Sequence, residues 1–216
     1  MEPYYSDDHV TLYHGDCREI LPTVAANAVV TDPPYSLEGR LNYHSGSRTW
    51  SKFAADGELD WDRDVTPIIG GLLDVPGHSI IWGGNYFALP PRRGWLIWDK
   101  VVRKFSSGHC ELAWTTLDQP VRAFSYAHSQ LANEGKFHPT QKPLPLMQWA
   151  IRFLPEHCVT ILDPFAGSGT TLVAAKMLGR RATGVEIEER YCEIAARRLA
   201  QDVLPFGEAL SAGGGQ

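Results

Sequence analysis

The chain has 216 residues, 44% of them hydrophobic and 21% charged, which fits one soluble globular domain of ordinary size, expected over residues 1–210. No apolar run is long enough to span a membrane, and the start, Met1-Glu2-Pro3-Tyr4-Tyr5-Ser6, lacks the basic stretch and apolar core of a secretory signal. Cys17, Cys110, Cys158 and Cys192 are scattered, with no Cys-x-x-Cys pair; this argues against a disulfide framework or a metal site and for a reducing compartment, the cytoplasm. The net charge of −5 speaks against a nucleic-acid partner, but its distribution does not: residues 92–142 hold eight basic and four acidic residues. A polyanion can be held on such a local basic surface within an acidic molecule, although a solvated basic face gives the same pattern.

In chain order, short apolar runs alternate with amphipathic stretches, the pattern of an α/β sheet. Val10–Tyr13 is a predicted strand, followed by a helix over Cys17–Val24 and a second strand, Ala28–Thr31. That strand runs into Asp32-Pro33-Pro34-Tyr35, where two successive prolines stop both strand and helix and impose a rigid turn. Residues 36–64 are polar and read as a long loop, a length that in compact domains is usually functional or mobile. A helix near Pro67–Asp74 leads to strand His78–Trp82 and Gly83-Gly84-Asn85. Gly94–Trp98, Cys110–Thr115 and Val121–Phe124 are further strands, spaced closely enough to suggest an antiparallel edge. A helix over Pro143–Leu154 precedes strand Val159–Leu162, a glycine-rich turn, a helix to about Leu178, and strand Ala182–Val185 ending at Glu186. Ile187, Tyr191, Ile194, Ala195 and Leu199 share the apolar face of a last helix, and the glycine-rich tail 211–216 reads as disordered.

The glycine-rich turn is Asp163-Pro164-Phe165-Ala166-Gly167-Ser168-Gly169-Thr170-Thr171. Glycines let a backbone approach a ligand closely, and the following helix N-terminus favours a negative group. A nucleoside triphosphate loop needs a lysine where Thr170 and Thr171 stand, and a dinucleotide loop a third glycine where Leu172 stands. Glu186, at the end of the next strand, suits a two-pronged grip on ribose hydroxyls. A tight turn with a surface glutamate remains the plainer reading of these residues alone. The nine residues resemble the S-adenosylmethionine site of class I methyltransferases, specifically the amino-directed DNA enzymes. On that resemblance Asp163, Phe165, Ala166, Gly167 and Gly169 would line the methionine end of the cofactor, Ser168, Thr170 and Thr171 would bind its carboxylate, and Glu186 its ribose.

The proline turn fits the chemistry that such an enzyme needs. The exocyclic amine of a nucleobase is a poor nucleophile because its lone pair is delocalised into the ring. Hydrogen-bond acceptors held in fixed geometry, the Asp32 carboxylate and the Pro33 carbonyl stiffened by Pro34, would draw the nitrogen toward sp³ character. Tyr35 offers a face for an extruded base, worth roughly 1–3 kcal/mol, and a base inside a duplex must be flipped out to be reached. Asp-Pro-Pro-Tyr resembles the catalytic motif of N6-adenine DNA methyltransferases, which assigns catalysis to Asp32, Pro33, Pro34 and Tyr35.

Here the catalytic turn precedes the cofactor turn by about 130 residues, a circularly permuted order resembling the β class of amino-methyltransferases. Tyr13-His14-Gly15-Asp16-Cys17 and His138-Pro139-Thr140-Gln141-Lys142-Pro143 look like two more family segments, and Trp82–Tyr86 and Trp98-Asp99-Lys100 like stretches of small bacterial and phage members. The resemblance implies a Rossmann-like α/β fold, mostly parallel with an antiparallel edge. It places Asp16 at the cofactor's adenine amine with the Cys17 backbone nearby, and Thr140 and Lys142 at its methionine carboxylate; taken alone, Lys142 reads as a surface lysine. It also implies double-stranded DNA as partner, with a homodimer as a further expectation.

Only residues 101–137 are available as a recognition region, where Arg103, Lys104, Arg122 and Lys136 would meet phosphates; Arg40, Arg48 and Lys52 of the long loop would add to them. So small a region implies a short target, about two to four base pairs. The leading expectation is DNA adenine-N6 methylation. Cytosine-N4 methylation, an RNA or protein-amide substrate, a silent DNA-binding module and a nicotinamide dehydrogenase stand as alternatives.

Overall fold

The computed structural model describes residues 2–35, 65–101, 108–127, 130 and 141–201. Their strands form one nine-stranded sheet: β1 (Tyr5–Ser6), β2 (Val10–His14), β3 (Ala28–Thr31), β4 (His78–Trp82), β5 (Trp95–Asp99), β6 (Cys110–Thr115), β7 (Arg122–Ser125), β8 (Thr160–Asp163) and β9 (Arg181–Glu186). The order across the sheet is β1-β2-β9-β8-β3-β4-β6-β5-β7. From β2 to β4 neighbouring strands are parallel. All four β3 residues, Ala28, Val29, Val30 and Thr31, are buried, as expected of a parallel strand covered on both faces.

The helices are α1 (Cys17–Ile20), α2 (Thr66–Leu72), α3 (Leu144–Ile151), α4 (Thr170–Met177) and α5 (Glu189–Ala200). None of those described is long and apolar enough to cross a membrane. Every residue of α4 from Thr170 to Ala175 is buried. Small side chains and Gly184 let this helix lie close on the sheet: a Cβ at Gly184 would stand 2.6 Å from Leu172 Cδ1. Tyr191, Cys192, Ala195 and Leu199 recur every three or four residues and form the buried face of α5.

Several local features depart from the sequence pattern. The helix expected over Cys17–Val24 is α1 followed by a 3₁₀ turn, Leu21–Thr23, because Pro22 lacks the N–H that would continue it. Ile187 lies before α5 and is exposed, so it is not part of that helix's apolar stripe. The expected antiparallel edge is present: β6 runs opposite to both β4 and β5, with β7 returning parallel to β5, and at the other edge β1 pairs antiparallel with β2. The two-residue β1 was too short to signal itself. The long loop 36–64 and the C-terminal tail 211–216 lie outside the described residues.

Arg180 links the end of α3 to the start of β8. Its guanidinium donates to the carbonyls of Leu154 (3.0 Å), Pro155 (3.2 Å) and Cys158 (2.6 Å), groups that no helix or strand satisfies. Arg180→Ala should lower the unfolding free energy by about 1–3 kcal/mol in a denaturant titration, with an unchanged m value.

Candidate active site

β3 and β8 lie side by side and parallel, with Ala28 opposite Ile161 and Val29 opposite Leu162. The chain leaves β3 toward β4 and β8 toward β9, in opposite directions across the sheet. Such a reversal opens a crevice at the carboxyl ends of the strands. Asp32 follows β3 and Asp163 ends β8, so the proline turn and the glycine turn meet there. Thr31 Oγ1 ties them together, donating to Asp163 Oδ1 at 2.7 Å in a buried hydrogen bond. One cavity is lined by Asp32, by Gln141, Lys142 and Met147 around the start of α3, and by Asp163, Phe165–Ser168, Thr170 and Thr171.

The glycine turn needs its glycines. Gly167 (φ 52°) and Gly169 (φ 78°) are both left-handed. Gly167 N–H donates to Glu186 Oε2 at 2.7 Å and Glu188 N–H to Glu186 Oε1 at 2.8 Å. Burial outweighs these bonds and pushes the Glu186 carboxyl up to about 7; burial likewise pushes Asp163 up to about 6 against hydrogen bonds from Thr171, Thr31 and the Phe165 N–H. Gly169 does not line the cavity. It faces α5, where a Cβ would stand 2.8 Å from Ala195 Cβ. Arg198 of α5 braces the turn, donating to the Ser168 carbonyl (2.5 Å), Ser168 Oγ (3.1 Å) and Thr170 Oγ1 (3.1 Å).

Asp16 and Cys17 sit at the end of β2, whose His14 pairs with Glu186 of β9. Asp16 caps α1 and pairs with the exposed Arg18 guanidinium. Neither residue lines the cavity.

At the proline turn both Asp32 oxygens are engaged. Tyr35 Oη donates to Oδ1 at 2.7 Å and Lys142 Nζ to Oδ2 at 2.5 Å. Lys142 is not a surface lysine: its side chain is 4% exposed and also reaches Tyr35 Oη (3.1 Å) and Glu111 Oε2 (2.9 Å). It therefore serves the proline turn, although it also borders the cavity. Lys100 closes the chain of charges, 2.6 Å from Glu111 Oε1. Burial raises the Asp32 carboxyl above its ordinary value despite Lys142. Burial alone would lower Lys142, yet Asp32 and Glu111 more than offset it and its net shift is upward. Glu111, despite its own desolvation, is held down at about 2 by Lys142 and Lys100.

The Tyr35 ring stacks on Tyr86, centroids 4.9 Å apart and planes 25° from parallel. It lies over Gly83 (φ 67°), where a Cβ would come within 2.0 Å of the ring. Only a glycine at the end of β4 leaves that space.

The fold thus brings together Asp32, Tyr35, Lys142 and the glycine turn, with Glu186 behind Gly167. Arg122 is not among them: it begins β7, which runs in the same direction as β3, so it lies at the opposite end of the sheet from Asp32. Arg40, Arg48, Lys52, Arg103, Lys104, Lys136 and Thr140 lie outside the described residues. Sequence reasoning missed Glu111 and Arg198, and assigned no role to Lys100, Gly83 or Tyr86. The available signal for Glu111 and Lys100 was a charge set among the apolar residues of an otherwise core-forming strand pair.

A model of the DNA methylase family matches residues 77–197, and the chain belongs to that family. Among its relatives is the Type II methyltransferase M2.DpnII of Streptococcus pneumoniae, 28% identical, the match spanning 92% of each chain. The fold is that of the M1.HpyAVI–SAM complex (TM-score 0.54, 22% identity, 88% of this chain and 99% of that one). It is also that of the PvuII cytosine-N4-specific DNA methyltransferase (TM-score 0.62, 17% identity, 94% and 90%).

The raised Glu186 and Asp163 mean that the folded, ligand-free protein keeps protons the unfolded chain has already released. Its stability should therefore fall as pH rises from 4.5 toward 7, by at most about 3 kcal/mol from Glu186. Glu111 acts the other way, its contribution present above its unfolded value and lost as pH falls toward 2. Denaturant titrations across this range should show a flatter decline for Glu186→Gln than for the native chain.

Proposed function

We propose that this chain transfers a methyl group from S-adenosylmethionine to the N6 amine of an adenine flipped out of double-stranded DNA. The observation that carries this reading is the Asp32 carboxylate, fixed at both oxygens yet bordering a cavity that the glycine turn also lines. The residues fit the cofactor: a left-handed glycine turn admits close approach, and buried Glu186 can accept hydrogen bonds from vicinal hydroxyls. When bound, S-adenosylmethionine supplies a methyl group on a positively charged sulfur.

In this reading Asp163, Phe165, Ala166 and Gly167 hold the methionine end and Ser168, Thr170 and Thr171 its carboxylate, with Gly169 shaping the turn from behind. Asp16 and the Cys17 backbone meet the adenine end, Asp16 leaving Arg18 to do so. A carboxylate offers about four acceptor sites, so Asp32 keeps capacity for an incoming amine beside Tyr35 and Lys142. Asp32 polarises that amine in a water-poor crevice, and the Pro33 carbonyl provides the second acceptor. The sequence offers the Tyr35 face to an extruded base; because that ring already stacks on Tyr86 and lies over Gly83, the part assigned to the base in this reading is its edge. Arg40, Arg48, Lys52, Arg103 and Lys104 are phosphate contacts around a single catalytic domain. Thr140 closes the pocket beside Lys142.

Asp32→Ala should abolish methyl transfer while S-adenosylhomocysteine affinity, read by calorimetry, stays within about threefold, since the carboxylate serves the amine. Nucleoside analysis of DNA methylated by the native protein should yield N6-methyladenine; N4-methylcytosine would overturn the choice of base. Deletion of residues 40–58 should slow methylation of duplex DNA, and an unchanged rate would remove that loop from the reaction.

A further inference from the structure

We propose that Glu111, anchored by Lys100, is a positioning residue for the Asp32 acceptor, holding the Lys142 ammonium so that Asp32 stays fixed and only partly neutralised. The proposal rests on the assignment of Asp32 to the amine.

An ammonium has three donors. Lys142 donates to Asp32 Oδ2 (2.5 Å) and Tyr35 Oη (3.1 Å) and makes an ion-pair contact with Glu111 Oε2 (2.9 Å), so the head group is held by three neighbours. The sheet explains how Glu111 comes to be there. β6 runs against β4, so its first residues, not its last, lie at the crevice end of the sheet. Glu111 pairs with Trp98 of β5, and Lys100 follows that strand, its ammonium 2.6 Å from Glu111 Oε1 and 5.2 Å from the Trp98 ring centre. Lys100 is itself buried, so Glu111 is clamped between two cations rather than free to turn to solvent.

Two lysines and two carboxylates alternate along this chain. Without Glu111, Lys142 would direct its whole charge at Asp32, making that carboxylate a weaker acceptor. The ammonium would also lose one of its three anchors and gain freedom to swing into the cavity it borders. A neutral, apolar residue at 111 would take its paired carboxylate from buried Lys100 and leave Lys142 with that of Asp32.

Among the described residues, the charged and titratable groups facing Asp32 are Tyr35 on its own turn, Lys142 before α3, Glu111 on β6 and Asp163 at the end of β8. Glu111 adds to burial in raising the Asp32 carboxyl. Its removal should therefore move the acidic limb of the rate profile to lower pH.

The test measures single-turnover methylation of duplex DNA against pH for the native protein, Glu111→Gln, Glu111→Asp and Asp32→Asn, with S-adenosylhomocysteine affinity determined in parallel. For Glu111→Gln we expect a rate constant reduced roughly tenfold or more, an acidic limb displaced to lower pH, and affinity within about twofold of native. Glu111→Asp should recover part of the rate and of the displacement; if Glu111→Gln does not fold, the same profile read on Glu111→Asp decides. A Glu111→Gln rate within about twofold of native, or a loss matched by affinity with no displaced limb, overturns the proposal. If Asp32→Asn is inactive while Glu111→Gln is native-like, only the role of Glu111 fails. If Asp32→Asn turns over like the native protein, the assignment of Asp32 fails and takes this one with it.

Discussion

The parallel pairing of β3 with β8 is the contact on which the site depends. It sets Asp32 and Asp163, about 130 residues apart in sequence, at the same end of neighbouring strands. The Thr31–Asp163 hydrogen bond secures the alignment at the strand ends, where a shift would be felt by both turns. Ala28, Val29 and Val30 are buried on both faces of the sheet, so they hold β3 in the interior, while the Thr31–Asp163 hydrogen bond marks where along it the two turns meet.

Around that junction the protein concentrates ionisable groups in a poorly solvated place. Two solutions appear side by side. On the proline-turn side, Asp32, Lys142, Glu111 and Lys100 alternate in sign, so each desolvated charge has an opposite neighbour. On the glycine-turn side, Glu186 and Asp163 rest on N–H and O–H donors, which lower their proton affinities by less than burial raises them. The first arrangement keeps charges in place before any ligand arrives; the second leaves carboxylates whose ionisation a hydrogen-bonding ligand would favour. Such strain at a binding site costs stability and is held by the surrounding core.

The glycines divide in the same way. Gly83 and Gly167 are required by what lies next to them, a tyrosine ring in one case and a left-handed turn in the other. Gly169 belongs to both packing and turn: its missing side chain lets α5 approach, and that helix carries Arg198 back to Ser168 and Thr170.

The two turns could be read in the chain because their chemistry is local: proline rigidity at Asp32–Tyr35, and glycines followed by a helix and an acid at Gly167–Glu186. The alternating strands and helices, and hence the α/β class, were legible for the same reason, since hydrophobic period is a short-range property. What sequence alone left open depends on which strands become neighbours and in which direction they run. Lys142 read as a surface lysine until the fold enclosed it, and Glu111 as one residue of an edge strand until the antiparallel course of β6 carried it to the crevice. Arg122 was moved the other way by the direction of β7. Side-chain partners separated by long stretches of chain are selected by burial and sheet topology, and neither leaves a mark on the residues adjacent in sequence.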